Sequence, residues 1–235
     1  MRATTWEFKN RSLISGLIFG AAFQFYFLDR QIAPTPVAVW LGAKLGISDE
    51  LVIRWLFGLA ALLIFAAAFV RTWASAYLKA AVVYASEVKT ASLVADGPYR
   101  HVRNPLYFAN VLLAIGMGAM AGRPGFVFAV VAMVVFCYRL ILREEAKQGE
   151  QYHRYRDAVP RLLPALSARV PSAGATANWK QGFMTELWYW GFGVAVLVFA
   201  FTLTVKWFFV ILGVSIALFW MSSIILQKRS KSQKA

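Results

Sequence analysis

Apolar residues in this chain gather in long blocks rather than in helical stripes or strand-like alternation. Six blocks stand out, at about 12–28, 51–70, 105–121, 125–142, 187–204 and 207–226. Each holds roughly 17–20 residues, near what a helix needs to cross about 30 Å of hydrocarbon. A shorter apolar stretch, 34–46, carries Pro34, Pro36 and Lys44 and is too interrupted to span, which points to the membrane interface. The pattern predicts an all-α, polytopic membrane helix bundle of about six transmembrane helices. No small-residue cleavage site follows the first block, so it is read as a membrane helix.

The polar connections then set the expected orientation. Arg2, Lys9 and Arg11 precede the first block, and the 71–104, 143–186 and C-terminal segments bring the Lys and Arg of that side to 19. The other side has four: Arg30, Lys44, Arg123 and Lys206. Arg54 and Arg139 fall inside blocks near their ends, from which they can snorkel. This asymmetry predicts that the N- and C-termini are both cytoplasmic. Residues 165–180, rich in Ala, Ser, Pro and Gly, read as a linker. The expected organisation is an N-terminal helix and interfacial segment at 1–50, a core at 51–165, a linker at 166–186, and a hairpin with a basic tail at 187–235. No internal repeat is evident. The hairpin is aromatic with almost no polar chemistry, which suits packing, lipid contact or subunit association.

Composition agrees with the membrane reading: 60% of residues are hydrophobic, 15% are charged, and there are 9 Trp. The net charge of +14 does not imply a nucleic-acid partner, because the basic residues lie between apolar blocks, where topology puts them. A single cysteine, Cys137, excludes a disulfide framework and a multi-cysteine metal site. His101 and His153 have no partners at metal-ligand spacing, so no metal is expected. Gly116, Gly118 and Gly122 do not follow a strand and suit close helix packing, not a dinucleotide loop.

Two polar segments carry the candidate chemistry. The first, residues 96–107, reads DGPYRHVRNPLY. Gly97-Pro98 forms a turn, and Pro105 suits the first turn of a helix, so a helix should begin near Asn104 or Pro105. The first amides of such a helix have no intrahelical partners and attract anions. Arg100, His101 and Arg103 add positive charge, and Tyr99 and Tyr107 add ring faces. The alternative is a basic aromatic belt at the interface. The second, residues 138–164, reads YRLILREEAKQGEQYHRYRDAVPRLLP. Arg139 and Arg143 share a helix face, and Glu144 and Glu145 fall where a span leaves the membrane. The plainer reading is charge pairing along a solvated helix, as between Glu144 and Gln148 or Glu150 and Arg154. Brought together, the two segments offer an anion site and a carboxylate site for the two ends of a zwitterion.

In this order and spacing, GPYRHVRNPLY and REEAKQGEQYHRYRDAVPRLLP resemble the isoprenylcysteine carboxyl methyltransferase and phospholipid methyltransferase superfamily of integral membrane enzymes. The resemblance covers roughly 50–165. It implies a cytoplasmic S-adenosylmethionine site between the two motifs. By match to the family pattern, the cofactor contacts are Ala91, Ser92, Leu93, Val94, Tyr99, Arg103, Asn104, Pro105, Leu106, Tyr107, Glu144 and Glu145. An upstream arginine handles the substrate, with Arg139 and Arg143 in that place as the catalytic candidates. The helix between Glu145 and Tyr152 is about one turn shorter than the family's usual one.

The implied reaction is methyl transfer from the sulfonium to a lipophilic acceptor arriving from the bilayer. The acceptor is a carboxylate, as in a prenylated cysteine-like compound, or an amine, as in a phospholipid. Membrane lipid is the expected partner, and a bacterial inner membrane the expected setting. A nicotinamide-dependent membrane reductase and a non-catalytic membrane protein keeping the motifs are the rival readings.

Overall fold

The computed structural model describes residues 1–32, 37–78, 95–148 and 151–232. Its elements are helical: α1 (Thr5–Lys9), α2 (Arg11–Ile32), α3 (Val37–Leu45), α4 (Asp49–Tyr77), a 3-10 turn (Gly97–Arg100), α5 (Pro105–Gly118), α6 (Arg123–Glu145), α7 (Gln151–Ala158), α8 (Trp179–Thr202) and α9 (Val205–Ser232). The all-α expectation therefore holds among the described residues.

Among the described residues, four helical stretches are long and apolar enough to cross a membrane: Asp49–Tyr77, Arg123–Glu145, Trp179–Thr202 and Val205–Ile225. The other two predicted blocks form shorter apolar stretches, Arg11–Phe25 and Pro105–Gly118. Helix α5, with 14 residues, is only about 21 Å long. Pro105 fixes its start. Its other end gives way at Ala119–Gly122 to a tight connection, and Pro124 opens α6. The stretch at 34–46 yields α3, packed on α4, with Lys44 in its last turn; Pro34 and Pro36 lie outside the described residues.

The helices neighbour one another in the order α2, α6, α5, α4, α8, α9, so chain order and spatial order differ. Local signals start several of them. A capping box between Thr4 and Glu7 opens α1, the Ser48 hydroxyl accepts from the Leu51 amide at α4, and Asn178 does the same for Gln181 at α8. Leu203, with φ of 52°, makes the left-handed turn between α8 and α9.

Helix α8 begins at Trp179, eight positions before the apolar block that announced it, and lies along α4. A ladder of polar contacts joins these two helices. The Asn178 amide donates to the Ala76 carbonyl, Gln181 Nε2 to the Leu78 carbonyl, and Trp190 Nε1 to Thr72 Oγ1, at 2.8–2.9 Å. At the far end Arg54 pairs with Glu50 and donates to the carbonyls of Ala200 and Phe201, the exposed C-terminal turn of α8. Arg54 thus caps a neighbouring helix rather than simply snorkelling.

Candidate functional site

One end of the bundle collects the ends of α4 and α6 and the starts of α5 and α8, and both polar segments lie there. The 97–100 turn is buried at Pro98 and Tyr99. Gly97 has φ of 57° and packs against the Tyr77 ring so closely that a side chain has no room there. Helix α7 holds the turn from the other side: the Tyr155 hydroxyl donates to the Tyr99 carbonyl at 2.8 Å. Burial pushes both phenols, Tyr99 and Tyr155, well above the usual tyrosine range.

The segment after the second motif wraps over this turn. The Arg169 amide donates to the Arg100 carbonyl, Arg100 Nε to the Val170 carbonyl, and the Ala165 amide to the His101 carbonyl. Asp96, 2% exposed, anchors the strap by accepting from Ser172 Oγ at 2.5 Å and from the amides of Ala173 and Ala175 at 3.0 and 2.9 Å. The Ser172 hydrogen bond, followed by the Ala175 amide, holds the Asp96 carboxyl below the usual carboxylate range.

The two motifs meet directly. Arg103 donates to Glu145 at 2.7 Å, and the Tyr107 hydroxyl donates to Glu144 at 2.8 Å. Glu145 also takes the Arg161 guanidinium at 2.9 and 3.2 Å, and its Oε1 lies 3.4 Å from the Tyr152 hydroxyl. Arg161 is held above its usual value: burial works against its charge, but its hydrogen bonds to the Glu145 carboxylate and that group's attraction outweigh burial. The backbone is stitched likewise, with the Arg103 amide donating to the Pro160 carbonyl and Asn104 Nδ2 to the Arg161 carbonyl. Glu144 therefore pairs with the first motif rather than along its own helix.

These contacts tie Arg103, Asn104, Tyr107, Glu144 and Glu145 into one cluster, with Pro105 and Leu106 in the first turn of α5 beside it. Ala91, Ser92, Leu93 and Val94 lie outside the described residues. Arg139 and Arg143 are placed differently. They face the N-terminal segment: Arg139 Nη2 donates to both carboxylate oxygens of Glu7 at 2.8 Å, and Arg143 donates to the Ala3 carbonyl and Thr5 Oγ1. Ala3 and Phe8 then seat in the same buried cluster as Tyr107, Phe136, Cys137 and Leu140. Arg139 and Arg143 are the same-face pair the sequence indicates, but the fold points them at α1.

Several participants were not among the expected site residues. Tyr152, Tyr155 and Arg161 lie in the second motif, whose sequence shows the residues but not their direction. Arg71 and Glu186 are single charges in or beside apolar blocks, a signal of function in its own right.

The residues present suit a zwitterionic cofactor. Asn104 is the N-cap of α5, but its side chain does not cap the helix and goes instead to Arg161. Pro105 has no amide to donate, and the next two amides have no acceptor a turn earlier. Arg103 Nε is buried without a partner. Donors for a carboxylate thus stand beside the acidic pair that suits a cationic group. Among the described residues, no group of three or more His, Cys, Asp or Glu side chains is placed to hold a metal.

Residues 55–154 match the family model described as phospholipid methyltransferase. Over 121 residues the chain is 26% identical to the cobalt-zinc-cadmium resistance protein CzcN of Cupriavidus metallidurans, covering 48% of this chain and 56% of that one. Over 132 residues it is 24% identical to the nickel-cobalt-cadmium resistance protein NccN of Alcaligenes xylosoxydans xylosoxydans, covering 53% and 62%. The chain thus spans about three fifths of the length of these curated relatives. No solved structure matches the chain significantly. Residues 55–154 are thus similar to the phospholipid methyltransferase family, a likeness consistent with the isoprenylcysteine carboxyl methyltransferase and phospholipid methyltransferase superfamily that the two motifs resemble.

Proposed function

We propose that this protein is an integral membrane methyltransferase that takes its methyl group from S-adenosylmethionine and passes it to a lipophilic acceptor in the bilayer. The observation that carries this reading is the junction of the two motifs. Tyr107 with Glu144, and Arg103 with Glu145, bring a helix start rich in donors against an acidic pair at the end of a membrane-spanning helix.

In this reading the open amides of α5 and Arg103 receive the cofactor's carboxylate. Glu144 and Glu145 face its cationic part, and Tyr99 and Tyr107 wall the site. When bound, the cofactor supplies an already activated methyl group. The task left to the chain's residues is then alignment and exclusion of water. A carboxylate acceptor needs no base, whereas an amine acceptor must lose a proton, for which Glu144 is the placed carboxylate. Arg139 and Arg143 reach an acceptor only in company with the N-terminal segment they hold. In this reading the membrane is a bacterial inner membrane and this end of the bundle faces the cytoplasm, a side supported by the excess of Lys and Arg in its connections.

Transfer of labelled methyl from S-adenosylmethionine into a bacterial lipid extract tests the proposal. Incorporation supports it and names the acceptor class. Folded protein that neither binds the cofactor nor transfers label overturns it.

A further inference from the structure

A second polar cluster lies inside the helices, away from the motif junction. Glu186 on α8 is 1% exposed. It accepts from Arg71 Nε at 2.6 Å and from Ser75 Oγ at 2.6 Å, both on α4. Arg71 also donates to Asn110 Oδ1 on α5 at 2.8 Å and lies 4.2 Å over the Tyr189 ring. Arg71 is six residues from the end of α4, roughly 9 Å in from that end. A buried ion pair in such a place adds little stability over apolar packing, so its presence points to a specific task.

The cluster orients one amide. A guanidinium only donates, so Asn110 must show Arg71 its oxygen, and its NH2 group points the other way. Asn110 is three residues from Tyr107 and so on the same face of α5; Cys137 is two turns from Glu144 on α6. Asn110 on α5 and Cys137 on α6 are therefore the next positions inward along the seam that Tyr107 and Glu144 close. Arg71, Asn110 and Tyr189 all keep part of their surface accessible.

We propose that Asn110 binds the polar end of the acceptor, held in register by Arg71 and Glu186, so that the C-terminal hairpin supplies one wall of the acceptor site. The inference rests on the methyltransferase reading above. The class recognised is a lipid-soluble molecule whose polar end carries an oxygen acceptor: a carbonyl, a carboxylate or a phosphate. Asn110 contacts it; Arg71 and Glu186 are positioning residues that act through Asn110.

The test uses full-length protein in vesicles of bacterial lipid extract, with labelled S-adenosylmethionine. Asn110→Ala and Glu186→Gln are expected to raise the KM for extract at least tenfold and to leave the cofactor dissociation constant within twofold. Arg71→Met combined with Glu186→Met separates the roles. A purely structural ion pair is replaced by this apolar pair, and the KM for extract returns to within twofold of the parent, which overturns the proposal. A KM that stays raised, in protein with unchanged cofactor affinity, supports it. An unchanged KM in Asn110→Ala sinks the acceptor site alone. Failure of the parent protein to bind cofactor sinks the methyltransferase reading and this inference with it.

Discussion

Arg103 and Glu145 stand 42 positions apart in the chain and 2.7 Å apart in space. Their side chains are 7% and 11% exposed, so the pair is largely withdrawn from water. Glu145→Ala leaves Arg103, and in part Arg161, without a counter-charge. Breaking a buried pair by removing one partner costs about 3–5 kcal/mol. The expected result is a clear loss of thermal stability in detergent. Glu145→Gln, which keeps two hydrogen-bonding atoms, should lose less. Equal melting of parent and Glu145→Ala proteins would remove the ion pair from the account.

Tyr107→Phe keeps the buried ring and deletes only the hydroxyl that donates to Glu144. Stability should fall by about 1 kcal/mol, the usual worth of a single hydrogen bond, or somewhat more because the carboxylate loses a partner. Cofactor affinity should fall further than stability, since Glu144 is then free to turn away. Calorimetric titration with S-adenosylmethionine reads this directly. Unchanged dissociation constants in both Tyr107→Phe and Glu145→Gln would refute the placement of the cofactor.

Much of this architecture was visible in the sequence, because it is written in local chemistry. Gly97-Pro98 and Pro105 mark a turn and a helix start, and both are where they were expected. What the sequence hid depends on what a face meets. The four-residue spacing of Arg139 and Arg143 shows that they share a side of α6. It does not show that the side is filled by α1, a five-residue helix too short for a periodic signal. Glu186 was lost for another reason: averaging hydropathy over a block dilutes one charge at its border, and only the packing of α8 on α4 reveals Arg71 as its partner. The length of α5 was overestimated because its end depends on Gly118 packing against Phe126 on α6.

Glu7 gives a way to separate the two roles open to Arg139. The pair is partly exposed, at 31% and 22%, so its coupling should be modest, about 0.5–1 kcal/mol in a double-mutant cycle. If Arg139 serves only to dock the N-terminal segment, Glu7→Ala and Arg139→Ala lower methyl transfer to the same extent. If Arg139 contacts the acceptor, Arg139→Ala loses much more. The present geometry favours equal effects.

Asp96 makes the strap over the Gly97–Arg100 turn sensitive to acid. Its folded-state value is depressed by Ser172 and the amides of Ala175 and Ala173. A depressed carboxyl contributes stability that is fully present above its unfolded value, near pH 4, and is lost as pH falls through the lower folded value. Exchange protection at the Ala173 and Ala175 amides should therefore decline below about pH 4 after correction for intrinsic exchange rates. Asp96→Asn should remove that dependence. A profile in Asp96→Asn that still bends in the same range would assign the transition to another group.

Gly182 lies where α8 and α4 pack backbone against backbone. A methyl added there would stand 2.5 Å from the Thr72 carbonyl oxygen and 2.9 Å from the Ala76 amide nitrogen, both backbone atoms that cannot swing aside. The helices must then separate, and overpacking of this kind typically costs 1–3 kcal/mol. Separation also lengthens the Arg71–Glu186 contact one turn further along. Gly182→Val should thus lower stability and, beyond that, impair acceptor use if Glu186 positions the acceptor site. Gly213, inside α9 with nothing within 4 Å of its added carbon, is the control: Gly213→Ala should neither lower stability nor raise the KM. Thermal unfolding and the KM for lipid extract, measured on both variants, distinguish this from a general intolerance of the hairpin to substitution.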